Sequence, residues 1–166
     1  MEFKSGDYVV HPAYGVGHIV RLEERQLAEA EKCWYYVLAI DKSTVWVPVQ
    51  ADGSSRLRTV TAKQELDQYR NLLKGRPTPL GRDHKTRRLK IGEQLTQNSF
   101  RQLCEVVRDL TAAGWHRRIG EADAACLLKA RDHLRREWAA ATGMSMSEAD
   151  QEVDALLLIG REAYRS

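Results

Sequence analysis

The first sixty residues contain short runs of β-branched and aromatic residues, and polar residues separate the runs at regular breaks. Each run is about four to eight residues long and is bounded by Gly, Pro, Asp or Ser, a pattern typical of short strands joined by tight turns. The runs contain Val9-Val10, Tyr35-Tyr36-Val37-Leu38, Val45-Trp46-Val47-Pro48-Val49 and Leu57-Arg58-x-Val60. Gly6-Asp7 and Asp52-Gly53 are turn dipeptides, and Gly15-Val16-Gly17 permits a bend or bulge. The pattern predicts a small, curved antiparallel sheet of four or five strands, an SH3-like or Tudor-like barrel.

The predicted strand over residues 44–49 has two different faces. Three valines alternate on one face and Trp46 lies on the other, so we expect the Trp46 face to be exposed. Pro48 has no backbone N–H to donate, which suits a strand at the edge of a sheet. A partner chain could therefore add a strand along Trp46-Val47-Pro48. The alternative is that Trp46 covers the barrel's own core or the helix that follows. The preceding segment, 21–32, is polar and is predicted to end a strand and form a hairpin loop.

From Thr61 onward the apolar residues recur every three or four positions, which is typical of helices. Thr61 can cap a helix to about Leu73, and a linker rich in Pro and Gly follows over 74–81. A helix is predicted over 83–95, and the next is capped by Asn98 or Ser99, with Ser99-x-x-Gln102 as a capping box, and ends near Gly114. Two more are predicted from Glu121 to about Ala141, before Gly143, and from a Ser147-x-x-Asp150 cap to Tyr164. Their core is expected to include Cys104, Trp115, Cys126 and Trp138. The predicted fold is α+β, with a β domain over 1–60, a helix and linker over 61–81, and an all-α domain over 82–166.

The charge of the chain is unevenly distributed. The formal net charge is +3, with 7 Lys/Arg against 8 Asp/Glu through Val60 and 19 against 15 after it, which gives balances of −1 and +4. The excess is greatest just after the linker, at Arg82, Lys85, Arg87, Arg88 and Lys90. On a helix, Lys85 and Arg88 lie three residues apart, and so do Arg87 and Lys90, which predicts two adjacent cationic ridges suited to phosphates. A solvated charged face is the simpler interpretation of the same residues.

No motif in the chain indicates catalysis, and we expect neither an enzyme nor a bound metal or cofactor. The 3 cysteines lack the paired spacing of a zinc site, and no two of the 5 histidines form an HxxxH or HxH pair. Gly15-Val16-Gly17 lacks the third glycine and the following helix of a dinucleotide fingerprint. The N-terminus has no secretory pattern, and no apolar run approaches the roughly twenty residues that span a bilayer. These features favour a cytoplasmic protein.

The ordered strand motifs resemble the RNA-polymerase-interacting module of the CarD/CdnL family, which also occurs in the transcription-repair coupling factor. In the second half, Glu105-Val106-Val107-Arg108-Asp109-Leu110 and Leu128-Lys129-Ala130-Arg131 resemble two helices of the family's C-terminal domain. The resemblance implies a bacterial, nucleoid-associated transcription regulator. Its barrel would bind the β subunit of RNA polymerase. Its helical domain would bind promoter DNA without sequence specificity, near the upstream edge of the melted bubble, and modulate the stability of the open complex.

The resemblance also implies which residues form the two interfaces. Arg25 matches an arginine expected to meet the polymerase β subunit, and Trp46 stands where some relatives carry an arginine that touches the same partner. With the edge strand, the implied polymerase-binding set is Arg25, Trp46, Val47 and Pro48. The implied DNA-binding set is Arg82, His84, Lys85, Arg87, Arg88 and Lys90, with Lys129 on a later helix as an addition.

Two positions depart from the family pattern. Relatives usually carry a Trp at the start of the basic helix, which is implied to press into the minor groove and stabilise a kinked junction. Here the segment reads Leu80-Gly81-Arg82-Asp83-His84-Lys85, so that His84 or Lys85 takes this place. Ala124 stands where relatives carry basic residues. An alternative function is therefore an adaptor that binds RNA polymerase without engaging DNA. We expect a monomer, with a strand-swapped dimer as the alternative.

Overall fold

The computed structural model describes residues 2–165, and the chain divides into two compact units, Met1–Val60 and Thr61–Ser166. The first unit is an antiparallel β-sheet and the second is built from helices. The α+β class predicted from the two hydrophobic periodicities is therefore confirmed, with a Tudor-like sheet domain first and a helical domain after it.

Five strands form the sheet, in the order β4-β3-β2-β1-β5. They are β1 (Tyr8–His11), β2 (Gly15–Arg25), β3 (Cys33–Ile40), β4 (Ser43–Pro48) and β5 (Arg58–Thr59). All four neighbouring pairs are antiparallel, and β4 is an edge strand, as Pro48 predicted. The prediction that segment 21–32 ends a strand and forms a hairpin loop is confirmed: β2 ends at Arg25, after pairing with the first half of β3, and the loop joins it to Cys33.

The core of the sheet is centred on Tyr36, which is fully buried. Its hydroxyl accepts a hydrogen bond from the backbone N–H of Phe3 at 3.1 Å, and the two rings meet edge to face with centroids 5.7 Å apart. The other buried apolar residues of this cluster are Val9, Ile19, Leu38, Ile40, Val47, Val49 and Leu57. Burial of each large side chain contributes roughly 1.5–3 kcal/mol. This core makes the sheet a rigid support for the side chains on its other face.

Two glycines of β2 have separate roles. Gly15 has a φ of +81°, a left-handed conformation that starts the strand after the hairpin turn. A Cβ at Gly17 would lie 2.8 Å from the carbonyl oxygen of Ala39, so only glycine lets the end of β3 approach this closely. The irregularity in the ladder lies between Ile19 and Arg21, beyond the glycine pair where the sequence predicted a bend or bulge.

The helical unit begins with a 3-10 turn, Lys63–Glu65, and continues through five α-helices. They are α1 (Leu66–Leu73), α2 (His84–Thr96), α3 (Phe100–Ala113), α4 (Glu121–Thr142) and α5 (Met146–Tyr164). Leu66 and Leu73 of α1 are buried in the same apolar cluster as residues of α3, α4 and α5, so α1 is an integral part of this unit. Within residues 2–165, we find no helix whose length and apolarity would let it span a bilayer.

Two helix ends agree with the sequence analysis. The hydroxyl of Ser99 accepts a hydrogen bond from the backbone N–H of Gln102 and starts α3. Gly143 has a φ of +80° and accommodates the left-handed residue that ends α4.

Two other predicted caps were wrong. Helix α5 is capped by Ser145, two residues before the predicted Ser147 cap, because Ser145 and Glu148 form a reciprocal capping box. Thr61 caps no helix; instead its hydroxyl donates to the carboxylate of the buried Glu137 at 2.7 Å. Tertiary hydrogen bonding therefore replaced the local role predicted for Thr61.

The core of the helical unit surrounds Trp138, which is fully buried, as predicted. Its ring centroid lies 6.2 Å from that of Phe100, and its Nε1 donates to Glu152 at 3.2 Å. The Nε of Arg70 donates to the same carboxylate at 2.6 Å, and the guanidinium lies 5.6 Å from the Trp138 ring. The indole is therefore both packed and hydrogen-bonded, as a buried Trp requires.

Three other residues predicted for this core are buried to different degrees. Cys104 is fully buried, whereas Cys126 and Trp115 are half-buried. Burial raises the pKa of the Cys126 thiol above its ordinary value, and the nearby carboxylate of Asp123 adds to the increase. Cys126 is therefore a protonated, weakly nucleophilic thiol at neutral pH.

We predict that Gly17→Ala destabilises the sheet by roughly 1–3 kcal/mol, because the new methyl group has to displace the backbone of β3. The control is Gly92→Ala in α2, where no atom lies within 4 Å of the added methyl group. That variant should gain about 1 kcal/mol of helix propensity. Urea unfolding followed by circular dichroism measures both. A Gly17→Ala protein as stable as the parent would contradict the close approach of β2 and β3.

Candidate functional sites on the sheet and on the basic helix

An arginine and a tryptophan stack on the face of the sheet opposite Val47. Arg25 ends β2, and Trp46 lies in the edge strand β4. The Cζ of Arg25 is 5.5 Å from the centroid of the Trp46 ring, within range of a cation–π interaction. Trp46 is 40% exposed and is not part of the apolar core of the sheet, so the alternative in which it covers that core was wrong. We call these two residues the Arg25–Trp46 pair.

Glu23 connects the Arg25–Trp46 pair to a further arginine. One carboxylate oxygen accepts from Arg21 at 3.0 Å and is 3.5 Å from the Trp46 Nε1, and the other lies 3.4 Å from the Arg25 Nε. Loss of solvation alone would raise the pKa of Glu23, but the hydrogen bonds from Arg21 and Trp46 and the charge of Arg25 outweigh it and lower the pKa. Glu23 is therefore ionised at neutral pH and holds the two arginines and the indole in one surface cluster.

The other two predicted residues of this surface differ from each other. Val47 is 2% exposed and its side chain lies in the sheet core, so it cannot present a side chain to a partner. Pro48 is exposed at the end of β4. The Val49 N–H donates to the Trp34 carbonyl at 2.8 Å, and bonded pairs alternate along an antiparallel ladder. Val47 is therefore bonded to β3, and the backbone of Trp46 faces away from the sheet, available for strand addition.

The start of α2 is held by a side-chain cap. Asp83 accepts hydrogen bonds from the hydroxyl of Thr86 at 2.5 Å and from its backbone N–H at 3.2 Å. The hydrogen bond from the Thr86 hydroxyl, and to a smaller extent the one from its backbone N–H, lowers the pKa of Asp83 below its ordinary value. Asp83, the only acidic residue between Arg82 and Lys90, is therefore held in the cap as an anion at neutral pH.

Five of the six predicted DNA-binding residues of this segment are exposed: Arg82, His84, Lys85, Arg88 and Lys90. Lys85 and Arg88 lie on the outer side of α2, and in the part of the chain that the structure describes neither has an ion-pair partner. At about 100° per residue, Lys90 lies roughly 140° around the helix from Lys85. We call Lys85 and Arg88 the α2 basic face; Arg82 precedes the helix, His84 borders the face, and Lys90 does not belong to it.

Arg87 was predicted to belong to an exposed cationic ridge, but it is buried. Its side chain is 8% exposed, and its Nη2 donates to the Asp123 carboxylate in α4 at 2.7 Å. Its Nη1 donates to the carbonyl oxygen of Gly81 at 2.9 Å, and Nη2 lies 2.7 Å from the Nδ1 of His84. Arg87 therefore ties the start of α2 to the start of α4, and the predicted second ridge does not form.

Four further basic residues lie on α4 or in the connection that precedes it. Lys129, the predicted addition on α4, is exposed, whereas its neighbour Arg131 is paired with Asp150 and Asp154. The connection between α3 and α4 carries Arg117 and Arg118, both exposed, which the sequence analysis did not single out. The signal was an Arg-Arg pair between two glycines. It was missed because the connection is distant along the chain from the basic segment.

The described residues contain no group of three or more His, Cys, Asp or Glu side chains that could hold a metal ion. The chemistry of the two sites is therefore that of arginine, lysine and aromatic groups. Such groups bind other macromolecules and phosphates, and neither site contains a paired nucleophile and base.

Comparison with known proteins agrees with the two-unit organisation. The family described as CarD-like/TRCF RID domain matches residues 3–61, and the family described as CarD, C-terminal domain matches residues 69–154. A relative from Bacillus subtilis (strain 168), YdeB, whose name describes it as a candidate transcription factor, is 34% identical over 116 residues. That alignment covers 65% of this chain and 71% of YdeB.

These matches cover both the sheet and most of the helical unit. The chain belongs to the CarD-like family of transcription factors. The family resemblance inferred from the strand and helix motifs is thereby confirmed. The roles of the individual residues at the two sites stay predictions.

We predict that Arg87→Ala destabilises the helical unit by about 3–5 kcal/mol, because it leaves the buried carboxylate of Asp123 without its cation. The double variant Arg87→Met/Asp123→Leu removes both charges and should recover most of that loss. Urea unfolding compares the three proteins, with the exposed Arg88→Ala as the control. A loss at Arg87 no larger than that at Arg88 would contradict the structural role of the ion pair.

Proposed function

We propose that this chain is a bacterial transcription regulator that binds the β subunit of RNA polymerase through its sheet unit and promoter DNA through its helical unit. By binding both, it would modulate the stability of the open complex. The observation that carries the DNA half of the proposal is the α2 basic face, whose cations are exposed and lack carboxylate partners among the described residues. The protein would act in the cytoplasm, at the nucleoid.

The Arg25–Trp46 pair supports the polymerase half of the proposal. Trp and Arg are the residue types that most often dominate protein interfaces. The stacking and the contacts with Glu23 restrict both side chains before binding, which reduces the entropy lost on association. The free backbone edge of β4 beside Trp46 adds a place where a partner strand can pair.

The α2 basic face supports sequence-independent DNA binding. Lys85 and Arg88 lie about one helical turn apart on the outer side, a spacing at which both can reach phosphates of one strand. Such contacts position a protein on DNA but carry no base information, so specificity would come from recruitment by the polymerase and from junction shape. The regulator can shift promoter opening only by binding the open and closed complexes with different affinities.

A polymerase-binding adaptor that does not touch DNA is the second candidate. The burial of Arg87 favours it, because one of the cations that the sequence assigned to the DNA interface is committed to Asp123. The position of Lys90, away from the α2 basic face, favours it for the same reason. The two candidates differ in a single measurable property, the affinity for DNA.

We predict that Lys85→Ala/Arg88→Ala weakens binding to duplex DNA and reduces the slope of log affinity against log salt by about 2, since each phosphate contact contributes about 1. Fluorescence anisotropy with several unrelated 20-bp duplexes between 50 and 200 mM salt, about the range in which such contacts are lost, measures this slope. The matched control is Lys63→Ala/Arg101→Ala, which removes the same two charges elsewhere on the helical unit. A parent protein without salt-dependent DNA affinity would favour the adaptor.

We predict that Arg25→Ala and Trp46→Ala each weaken the complex with the polymerase β subunit by roughly 30-fold, as expected for a hot-spot residue worth about 2 kcal/mol. Surface plasmon resonance with the full chain and the isolated β subunit measures the affinity. Lys42→Ala, at the opposite end of β3, is the control and should bind like the parent. If the Arg25→Ala and Trp46→Ala proteins bind the β subunit as tightly as the parent and the Lys42→Ala control do, the Arg25–Trp46 pair lies outside the interface.

A further inference from the structure

An arginine-rich cleft lies between the segment before α2 and the connection between α3 and α4. Its volume is about 480 Å³. The polar side of the lining consists of Arg82, His84, Arg87, Arg117, Arg118 and Asp123, and the apolar side includes Leu80, Ala113 and Ile119. Neither the α2 basic face nor the sequence motifs account for this cleft, because two of its arginines come from a different part of the chain.

The cleft has a large excess of positive charge. Four arginines stand against the single carboxylate of Asp123, which leaves a formal excess of three positive charges. Asp123 is already engaged by Arg87, the most buried arginine of the lining, whose Nε has no hydrogen-bond partner. Among the described residues, Arg82, Arg117 and Arg118 form no ion pair. Mutual repulsion between cations this close together is relieved by an anion.

Backbone groups add to the positive potential. Gly120, which precedes α4, lines the cleft and supplies no side-chain cap. The first backbone hydrogen bond of α4 runs from the N–H of Ala124 to the carbonyl oxygen of Gly120, so the N–H groups before Ala124 have no partner within the helix. α4 has 22 residues, and the partial positive charge at its start favours anions; Glu121 and Asp123 lie in its first turn, and Asp123 is paired with Arg87.

The composition of the lining indicates the class of anion. Planar guanidinium groups and helix N–H groups can donate several hydrogen bonds at once to the oxygens of a phosphate. The apolar side of the cleft suits a flat or hydrocarbon group attached to that phosphate, and the volume lies in the range of small-molecule sites. We propose that the cleft binds the phosphate of a nucleotide, either a free nucleotide or a nucleotide unit of a DNA strand.

A free nucleotide and a DNA strand would give the cleft different roles. A free nucleotide would make the cleft a regulatory site that does not depend on the α2 basic face. A DNA strand would extend the proposed DNA interface from α2 to the α3–α4 connection, and in that case the inference rests on the proposed function. Arg117 and Arg118 are the residues that separate the cleft from the α2 basic face in an experiment.

The test uses the full chain and the variant Arg117→Ala/Arg118→Ala. Both arginines are exposed and unpaired among the described residues, so their removal should leave the unfolding transition unchanged. Calorimetric titration with ATP and with pyrophosphate probes free ligands, and anisotropy with duplex DNA probes the strand. The matched control is Arg101→Ala/Arg165→Ala, which removes two exposed arginines outside the cleft.

At least tenfold weaker binding of ATP or pyrophosphate by Arg117→Ala/Arg118→Ala, with the control unchanged, supports a free nucleotide. A selective loss of DNA affinity, with a salt slope smaller by about 2 and no binding of the free ligands, supports a DNA phosphate. Equal behaviour of the variant, the control and the parent with all probes overturns the site. Lys85→Ala/Arg88→Ala should leave the affinity for ATP and pyrophosphate unchanged, which separates a failure of the cleft from a failure of the α2 basic face.

Discussion

The buried ion pair between Arg87 and Asp123 determines which side of α2 faces solvent. Two residues of this helix, Arg87 and Ile91, are buried, so the orientation of α2 depends on few contacts. With Arg87 directed into the unit, Lys85 and Arg88 turn outward, and Arg82 comes to the rim of the arginine-rich cleft. An uncompensated charge in this position would be costly, which is why the two partners act as one structural element. The basic face and the cleft both follow from this interaction.

Arg25 in the sheet unit and Arg87 in the helical unit have different roles because their surroundings differ. Arg25 is held at the surface by an indole ring and by Glu23, and it keeps enough exposure to meet a partner. Arg87 is withdrawn from solvent by a carboxylate and a backbone carbonyl group, which engage its two terminal nitrogens and leave only its Nε without a partner among the described residues. The same residue type is therefore an exposed surface group in one unit and a link between two helices in the other. The burial of each guanidinium group and the groups that contact it decide between the two roles.

Much of the architecture could be predicted from local patterns. The alternation of valines, the turn glycines and Pro48 predicted a curved sheet with β4 at its edge, because each of these signals acts within a few residues. The spacing of apolar residues predicted α3, α4 and α5 with ends close to those observed. Predictions were wrong where a polar side chain found a distant partner, as Thr61 found Glu137, or where a second cap competed, as Ser145 did with Ser147.

The sequence by itself determined the succession of sheet and helices, the membership of the CarD-like family and the presence of a basic segment at the start of α2. The tertiary structure alone decided which of those cations are exposed, and it brought Arg117 and Arg118 to the same cleft as Arg82. The physical reason is one of range. Propensity and periodicity act between neighbours along the chain, whereas the pairing of a charge depends on which helix packs against it, and a local pattern does not record that choice.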